Sequence, residues 1–391
     1  MLPLQGVKVI EFCQVAAGPF CGMLLADMGA DVIKVEHPDG GDSLRQWPPL
    51  NQGFSENFAS LNRNKRSIAL NLKSTEDVQR VRALILSADV VIENNRPGVM
   101  KRLGLDYDTL SALKPALIYC SISAYGQSGP RSQEGGFDLT MQAMSGIMSV
   151  TGEPGGAPVK CGVPLSDFAA GLYAAFGVSA VLNKVRSGHP GEHIDVSMLG
   201  ASLGIAALQT SEFFGKGSDP QKLGSAHPRN APYQAFRAKD GYFAMAAGND
   251  NLWRITCTQI RRPDLAGDPR FGNTALRAAN QGALKDILEA EFASLTCAEL
   301  IARFADAGVP CTPINTYSQV LADPQVKAMD WVQEIDLPSG GRTRTFASPF
   351  RLSGRGLPIY RSPPALGADT DDVLSALATV PAQAPVEKVS A

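Results

Sequence analysis

Cysteine is scarce and scattered in this sequence. Seven occur among 391 residues, at positions 13, 21, 120, 161, 257, 297 and 311, odd in number and never arranged as Cys-x-x-Cys. That pattern excludes a disulfide framework and a zinc ribbon, and it points to a reducing compartment. An excess of charge is also missing. The formal net charge is −2, which gives no electrostatic footprint for nucleic acid or for an anionic membrane. The chain opens on the strand-like Val7-Lys-Val-Ile-Glu-Phe12, with no basic segment leading into a long apolar run, so no secretory signal is expected. Apolar runs such as 169–182 are interrupted by glycine and are expected not to span a bilayer. Two nucleotide signatures are absent as well. The turn after the first strand, Val15-Ala-Ala-Gly-Pro-Phe-Cys-Gly22, is not G-x-G-x-x-G, and no G-x-x-x-x-G-K-[ST] occurs. These absences argue against a dinucleotide oxidoreductase and a P-loop ATPase. A cytoplasmic enzyme is the expectation.

What is present is the material of a large α/β fold. An apolar fraction of 44 % and a charged fraction of 19 % suit an ordinary globular chain with a large core. Strand-like runs at 7–12, 31–36, 68–72, 89–93 and 116–122 alternate with helix signals at 19–28 and after Ser74-Thr-Glu-Asp77. In that second helix Val78, Val81, Leu84 and Ile85 recur at helical spacing. This is the pattern of a mostly parallel, Rossmann-like sheet covered by helices. Such sheets bind ligands at the carboxyl ends of their strands, where residues 13–18, His37, 94–96 and 123–127 fall. Beyond about residue 206 the texture changes. A polar connector runs to about 230, and a smaller α+β domain is expected over 231–320. That domain takes a strand at 241–247 and amphipathic helices at 280–292 and 297–307. A last helix is expected at 369–376, and the final dozen residues are expected to fray.

The stretch Cys161-Gly-Val-Pro-Leu-Ser-Asp-Phe-Ala-Ala-Gly-Leu-Tyr173 organises the rest. Ser166 and Asp167 stand where a long helix of small residues begins, running to about 184. In the plainest reading Asp167 caps that helix. The same place also suits a functional carboxylate, because the positive end of the helix favours its ionised form. A competing motif, Gly200-Ala-Ser-Leu-Gly204, has the form of a nucleophile elbow. Only His227 follows Ser202, with Glu212 and Asp219 crowded between them, so Ser202 is expected to pack inside a helix.

Motifs along almost the whole chain resemble the class III CoA-transferases, the relatives of formyl-CoA transferase. They include Ala17-Gly-Pro-Phe20, Gly29-Ala-Asp-Val-Ile-Lys-Val-Glu36, Asn62-Arg-Asn-Lys-Arg-Ser67 and Val91-Ile-Glu-Asn-Asn-Arg-Pro-Gly98. Further along come Ala124-Tyr-Gly-Gln-Ser-Gly-Pro130, Gly136-Phe-Asp138, the Asp167 segment and Gly191-Glu-His-Ile-Asp-Val-Ser-Met198. The resemblance implies that Asp167 is a nucleophile that carries CoA between two acids. It also implies that the large domain, 1–205, is completed by the returning tail 321–391, and that two chains interlock as a homodimer. CoA brings phosphates, so cations are expected at its site: Arg63, Lys65 and Arg66 in one loop, and Arg96, Lys101 and Arg102 in another. His37, Asn95, Ala124, Gly136 and Asp138 are expected along the same path. Gln127 or backbone N–H groups near Gly136 are possible oxyanion donors. No cofactor is expected beyond the CoA thioester as substrate, and no metal.

Two departures narrow the activity. Ala16 stands where formyl-CoA transferases carry glutamine, and their glycine-run loop has no counterpart, which turns the reading away from a formate or oxalate substrate. Phe137 stands where the related α-methylacyl-CoA racemases place a histidine base, and phenylalanine cannot move a proton. The stretch Gly224-Ser-Ala-His-Pro-Arg-Asn-Ala-Pro-Tyr-Gln-Ala-Phe236 resembles the branch that uses succinyl-CoA and dicarboxylates such as glutarate, hydroxymethylglutarate or itaconate. His227, Arg229 and Arg45 are the expected ligands of the second carboxylate, and Trp47 is expected to wall the pocket. The alternatives are the racemase, transfer to a monocarboxylate, a CoA hydrolase and an inert CoA-binding scaffold.

Overall fold

A computed structural model describes residues 1–378; the tail expected to fray lies outside the described residues. Six strands, β1 (Lys8–Phe12), β2 (Asp31–Glu36), β3 (Lys65–Ala69), β4 (Val90–Glu93), β5 (Ile118–Ser123) and β6 (His193–Ser197), form one sheet. Every pairing is parallel, in the order β3-β2-β1-β4-β5-β6. The strand order reverses between β1 and β4, which makes the gap above their carboxyl ends the natural ligand crevice. Helices cover both faces, and that is why the central strands read as continuous apolar runs rather than alternating ones. Val9, Val32, Val90, Ile92 and Ile118 face α1 (Ala17–Asp27) and the long helix Leu165–Arg186, whereas Ile10, Ile33, Ile68, Val91 and Tyr119 pack with Val81, Leu84 and Ile85 of α2 (Thr75–Leu86). The Ser74 hydroxyl caps α2 by accepting from the Asp77 N–H.

One strand departs from its expected place. β3 runs over 65–69 rather than 68–72, because Lys65 is wholly buried beside Glu11 and Asn62 and so joins the sheet despite its charge. Leu70, Asn71 and Leu72 leave the sheet instead and reach its carboxyl end.

α3 (Asp138–Met144), α4 (Leu165–Arg186) and α5 (Met198–Ile205) follow. α4 is longer than expected. It is the one helix among the described residues long and apolar enough to cross a membrane by length and composition, contrary to the expectation for 169–182. Its small residues Ala169, Ala170, Gly171, Ala174 and Ala175 are buried in the same core as Ala17, Cys21 and Leu25 of α1. Ser202 is fully buried inside α5, where its hydroxyl donates to the Met198 carbonyl and lies in hydrogen-bond contact with the Ser166 hydroxyl, both at 2.8 Å. The elbow motif therefore serves packing, as expected.

The chain divides into two compact units. One comprises residues 1–147, 161–214 and the described residues from 324 onward; the other comprises 148–160 and 215–323. The first division falls after 214 rather than 205 because helix Ala207–Lys216 follows α5 almost directly. Segment 148–160, which the sequence placed in the large domain, belongs to the second unit. That unit is α+β. An antiparallel sheet of Tyr233–Arg237, Tyr242–Ala246 and Cys311–Pro313 packs against helices Gln281–Phe292 and Cys297–Asp306. Phe236, Phe243, Phe292 and Phe304 form its buried centre.

Candidate functional site

Asp167 lies in the first turn of α4, but it does not cap the helix. The capping position is Pro164, which offers no side-chain acceptor. The missing acceptor comes from a distant segment: Asp138 Oδ1 accepts the Ser166 N–H at 2.9 Å, while Asp138 Oδ2 accepts from Gln142 Nε2 at 2.8 Å. Gln142 is fully buried and its Oε1 accepts the Cys161 N–H at 2.8 Å, so α3 holds the approach to α4 at two points. Asp138 was expected along the CoA path. Both of its oxygens are instead engaged in placing Asp167.

This arrangement changes the chemistry of Asp167. Burial, and then the neighbouring charge of Asp138, push its carboxyl up to about 7. The positive end of α4 favours the ionised form, but burial and Asp138 outweigh it. Asp138→Asn keeps an oxygen acceptor for the Ser166 N–H and removes the charge. It should lower the Asp167 midpoint by about one pH unit, read by carboxyl ¹³C NMR. An unchanged midpoint would leave burial as the whole cause.

Gly171 explains where Asp167 points. A Cβ there would come within 2.7 Å of the Ala17 carbonyl oxygen, and Phe168 packs on Phe20 with ring centroids 4.6 Å apart. α4 thus crosses the first turn of α1 in close contact. Asp167, one turn before Gly171, stands on the same face. Ala16 is the residue that precedes α1. Gly18 serves the same geometry from the other side. A Cβ at position 18 would collide with Cys13, and the Asn94 side chain lies 3.4 Å away.

At the sheet's switch point Asn94 ties the two diverging turns together, accepting the Gln14 N–H and donating to the Gln14 carbonyl, both at 2.9 Å. Beside them lies a groove of about 400 Å³. Among its lining residues are Cys13, Gln14, His37, Lys73, Asn95 and Met100. His37 and Asn95 of the expected CoA residues therefore meet in one place. Lys73 supplies a cation there that the sequence reading missed, because residues 70–72 had been read as strand. A second cavity, about 290 Å³, takes Arg96, Lys101 and Gln127. Gln127 Nε2 is buried there with no hydrogen-bond partner among the described residues. Arg102 is exposed beside Gly98.

Other expected ligands are engaged in holding the fold. Arg63 forms a fork on Asp27, with nitrogens at 3.1 and 2.6 Å from the two carboxylate oxygens, and is buried. Lys65 is fully buried on Glu11, Asn62 and the Pro19 carbonyl. Arg66 pairs with Asp31 at the opposite end of the strands from the groove. These three do not form a CoA-phosphate cluster. Arg45 forks on Glu36 at 2.8 and 2.6 Å and lies 3.7 Å over the Phe58 ring, which leaves it no second carboxylate to bind. Trp47 is half-exposed, and Phe137 is 77 % exposed. Ala124 and Gly136 pack on each other, a Cβ on Gly136 falling 2.8 Å from Ala124.

His227 and Arg229 lie in the second unit. His227 Nδ1 accepts two backbone N–H groups, from Arg229 at 3.1 Å and Asn230 at 3.0 Å. His227 Nδ1 is thereby engaged within its own loop rather than offered to a substrate carboxylate. Arg229 is exposed.

The chain is similar to known proteins over almost its whole length. A family model described as CoA-transferase family III matches residues 4–370. A succinate–glutarate CoA-transferase of Agrobacterium fabrum is 38 % identical over 97 % of this chain and 96 % of that protein. A succinyl-CoA:glutarate CoA-transferase of Mus musculus is 37 % identical over 96 % of this chain and 86 % of that protein. The crystal structure of a CAIB/BAIF family protein from Brucella suis superposes with a TM-score of 0.84 at 40 % identity, covering 96 % of this chain and 99 % of that one.

Proposed function

The chain belongs to CoA-transferase family III, and on that premise we propose that it moves CoA from succinyl-CoA to a dicarboxylic acid through Asp167. The observation that carries this reading is Asp167 itself, a half-buried carboxylate at a helix start that, among the described residues, no side chain or cap consumes for structure. The names of the Agrobacterium and mouse relatives support succinyl-CoA as donor and a dicarboxylate such as glutarate as acceptor.

The exchange balances without water or a net proton. The Asp167 carboxylate adds to the thioester carbonyl and expels CoA thiolate, leaving a mixed anhydride. The thiolate then attacks the Asp167 side of that anhydride, so the donor acid departs and an aspartyl-CoA thioester remains. The acceptor carboxylate attacks this thioester to give a second anhydride and free thiolate, which takes the acceptor acyl group and restores Asp167. Burial helps twice. It strips water from the attacking oxygen, and it shields each anhydride from hydrolysis. Gln127 Nε2 is the side-chain donor we assign to the developing oxyanion. The groove of His37, Lys73 and Asn95 takes the nucleotide end of CoA, with Arg96 and Lys101 beside it.

A second copy of the chain fits the exposed apolar side chains of the first unit. Leu172, Tyr173 and Phe176 of α4 and Leu208 and Phe214 of helix Ala207–Lys216 are 44–80 % exposed. Such a patch marks an interface, in keeping with an interlocked homodimer. None of the seven cysteines forms a disulfide among the described residues, which suits the cytoplasm.

The test is release of CoA from succinyl-CoA with and without acceptor. Transfer predicts release that rises at least about tenfold on adding glutarate, with glutaryl-CoA formed in equal amount. Release indifferent to any acceptor acid would replace transfer by hydrolysis.

A further inference from the structure

The turn after β1 is held in a conformation that its own residues disfavour. Val15 stands at φ 64°, in the left-handed region that a β-branched residue rarely enters. Strain of this kind persists only where surrounding contacts impose it, and it tends to be stored at ligand sites. Here the contacts are specific. The Val15 N–H donates to both oxygens of Asp42, at 3.1 and 3.3 Å. Asp42 is itself fixed. It accepts the Leu44 N–H at 3.0 Å, its own N–H donates to Glu36 Oε2 at 2.9 Å, and its carboxylate pairs with Lys34 Nζ at 2.9 Å. Lys34 in turn donates to the Cys13 carbonyl at 2.6 Å and to Glu11 at 3.0 Å. The side chains of Lys34 and Asp42 have no exposed surface. One buried ion pair therefore grips the turn twice, at the carbonyl of Cys13 and at the N–H of Val15.

Cys13 and Gln14 line the 400 Å³ groove, and Asp42 lines it too. We propose that Lys34 and Asp42 are positioning residues for CoA binding: they hold the turn after β1 in its left-handed form and so keep that groove shaped for the CoA portion of the substrate. This rests on the reading of the groove as the CoA site. Neither residue touches the reacting atoms. The pair sets affinity rather than the chemical step, whose group is Asp167. The left-handed valine also makes the proposal sharply testable, because glycine enters that region without penalty. A glycine at position 15 would not need to be held.

The experiment measures calorimetric binding of free CoA, steady-state kinetics with succinyl-CoA and glutarate, and hydrogen exchange of the Val15 amide without CoA. Asp42→Ala should weaken CoA at least tenfold, raise KM for succinyl-CoA in parallel, change kcat less than threefold and speed exchange at Val15. Asp42→Asn keeps an acceptor for the Val15 N–H and should bring CoA affinity back to within threefold of the parent. In a Val15→Gly background the Asp42→Ala loss should shrink below threefold. Should Asp42→Ala fail to fold, Lys34→Met gives the independent reading, releasing the Cys13 carbonyl and again weakening CoA with kcat held. Unchanged affinity in these variants, or a loss of equal size in both Val15 backgrounds, overturns the proposal and leaves the CoA site standing. Parent protein that binds no CoA, while Val15 exchange still responds to Asp42→Ala, brings down the reading of the groove, and the role in binding falls with it.

Discussion

Asp167→Asn should lower CoA transfer by about four orders of magnitude or more and should at the same time make the protein more stable above neutral pH. The first effect follows from covalent catalysis, since an amide cannot open the thioester or carry CoA. The second follows from burial. The Asp167 carboxyl is pushed up to about 7 in the fold, whereas an unfolded aspartate titrates near 3.9. A raised carboxyl pKa means that the folded state holds its proton longer. Stability is therefore lost as pH rises from about 4 to about 7, and the full cost is present above 7. Three units correspond to about 4 kcal/mol at most. Partial exposure and the positive end of α4 reduce this to about 1–3 kcal/mol. Urea denaturation should find the Asn variant more stable by that amount at pH 8 and equal to the parent at pH 4. Equal stability at both values would mean that Asp167 is solvated as an ordinary surface carboxylate. Retained transfer would end its role as nucleophile. The parent's own pH profile should rise with unit slope up to about 7, as the carboxylate forms.

The course of the chain through the sheet was readable because helix-covered parallel strands must be apolar on both faces, and runs such as Val-Val-Ile at 90–92 announce this directly. Asp167 could be found for a similar reason: Ser-Asp after a proline marks a helix start whatever the residues do. Cations were misread because a sequence shows a charge without its partner. Arg63 and Lys65 sit in a loop rich in positive charge, the composition expected of a phosphate site. Only the fold brings Asp27 and Glu11 up to them. The same blindness hid Lys73, since the strand read over 68–72 took the place of the turn that delivers it to the groove. Asp138 was legible as part of a motif, but its action on the Ser166 N–H depends on a contact between segments 28 residues apart. Pairing across the chain was what the sequence withheld, and most of the site's electrostatics is pairing.

Glu11 is where that pairing is concentrated, and Glu11→Leu should be the most destabilising single change in the molecule. Its two oxygens meet Lys34 at 3.0 Å and Lys65 at 2.9 Å in the middle of the sheet, and all three side chains are fully buried. Burial alone would drive a proton off each lysine. For Lys34, Glu11, Asp42 and Glu36 outweigh burial and hold the proton more firmly than in water; for Lys65, burial wins and its pKa is lowered. Without Glu11, Lys65 loses its anion and Lys34 keeps Asp42 as its direct partner, with Glu36 beyond it. Breaking a buried pair in this way costs about 3–5 kcal/mol, expected as a lower urea midpoint at unchanged slope. The exposed pair of Arg80 with Glu76 sets the contrast, and Glu76→Ala should cost less than about 0.5 kcal/mol. The triple change Glu11→Leu, Lys34→Met, Lys65→Met removes the charges together and should recover most of the loss, because an apolar set of similar volume does not have to be desolvated. Without Lys34 that protein should still bind CoA at least tenfold more weakly than the parent. Its recovered stability without recovered affinity would show that the buried charges are kept for the shape of the turn after β1. A triple variant as unstable as Glu11→Leu would show instead that the charges stabilise the sheet in their own right.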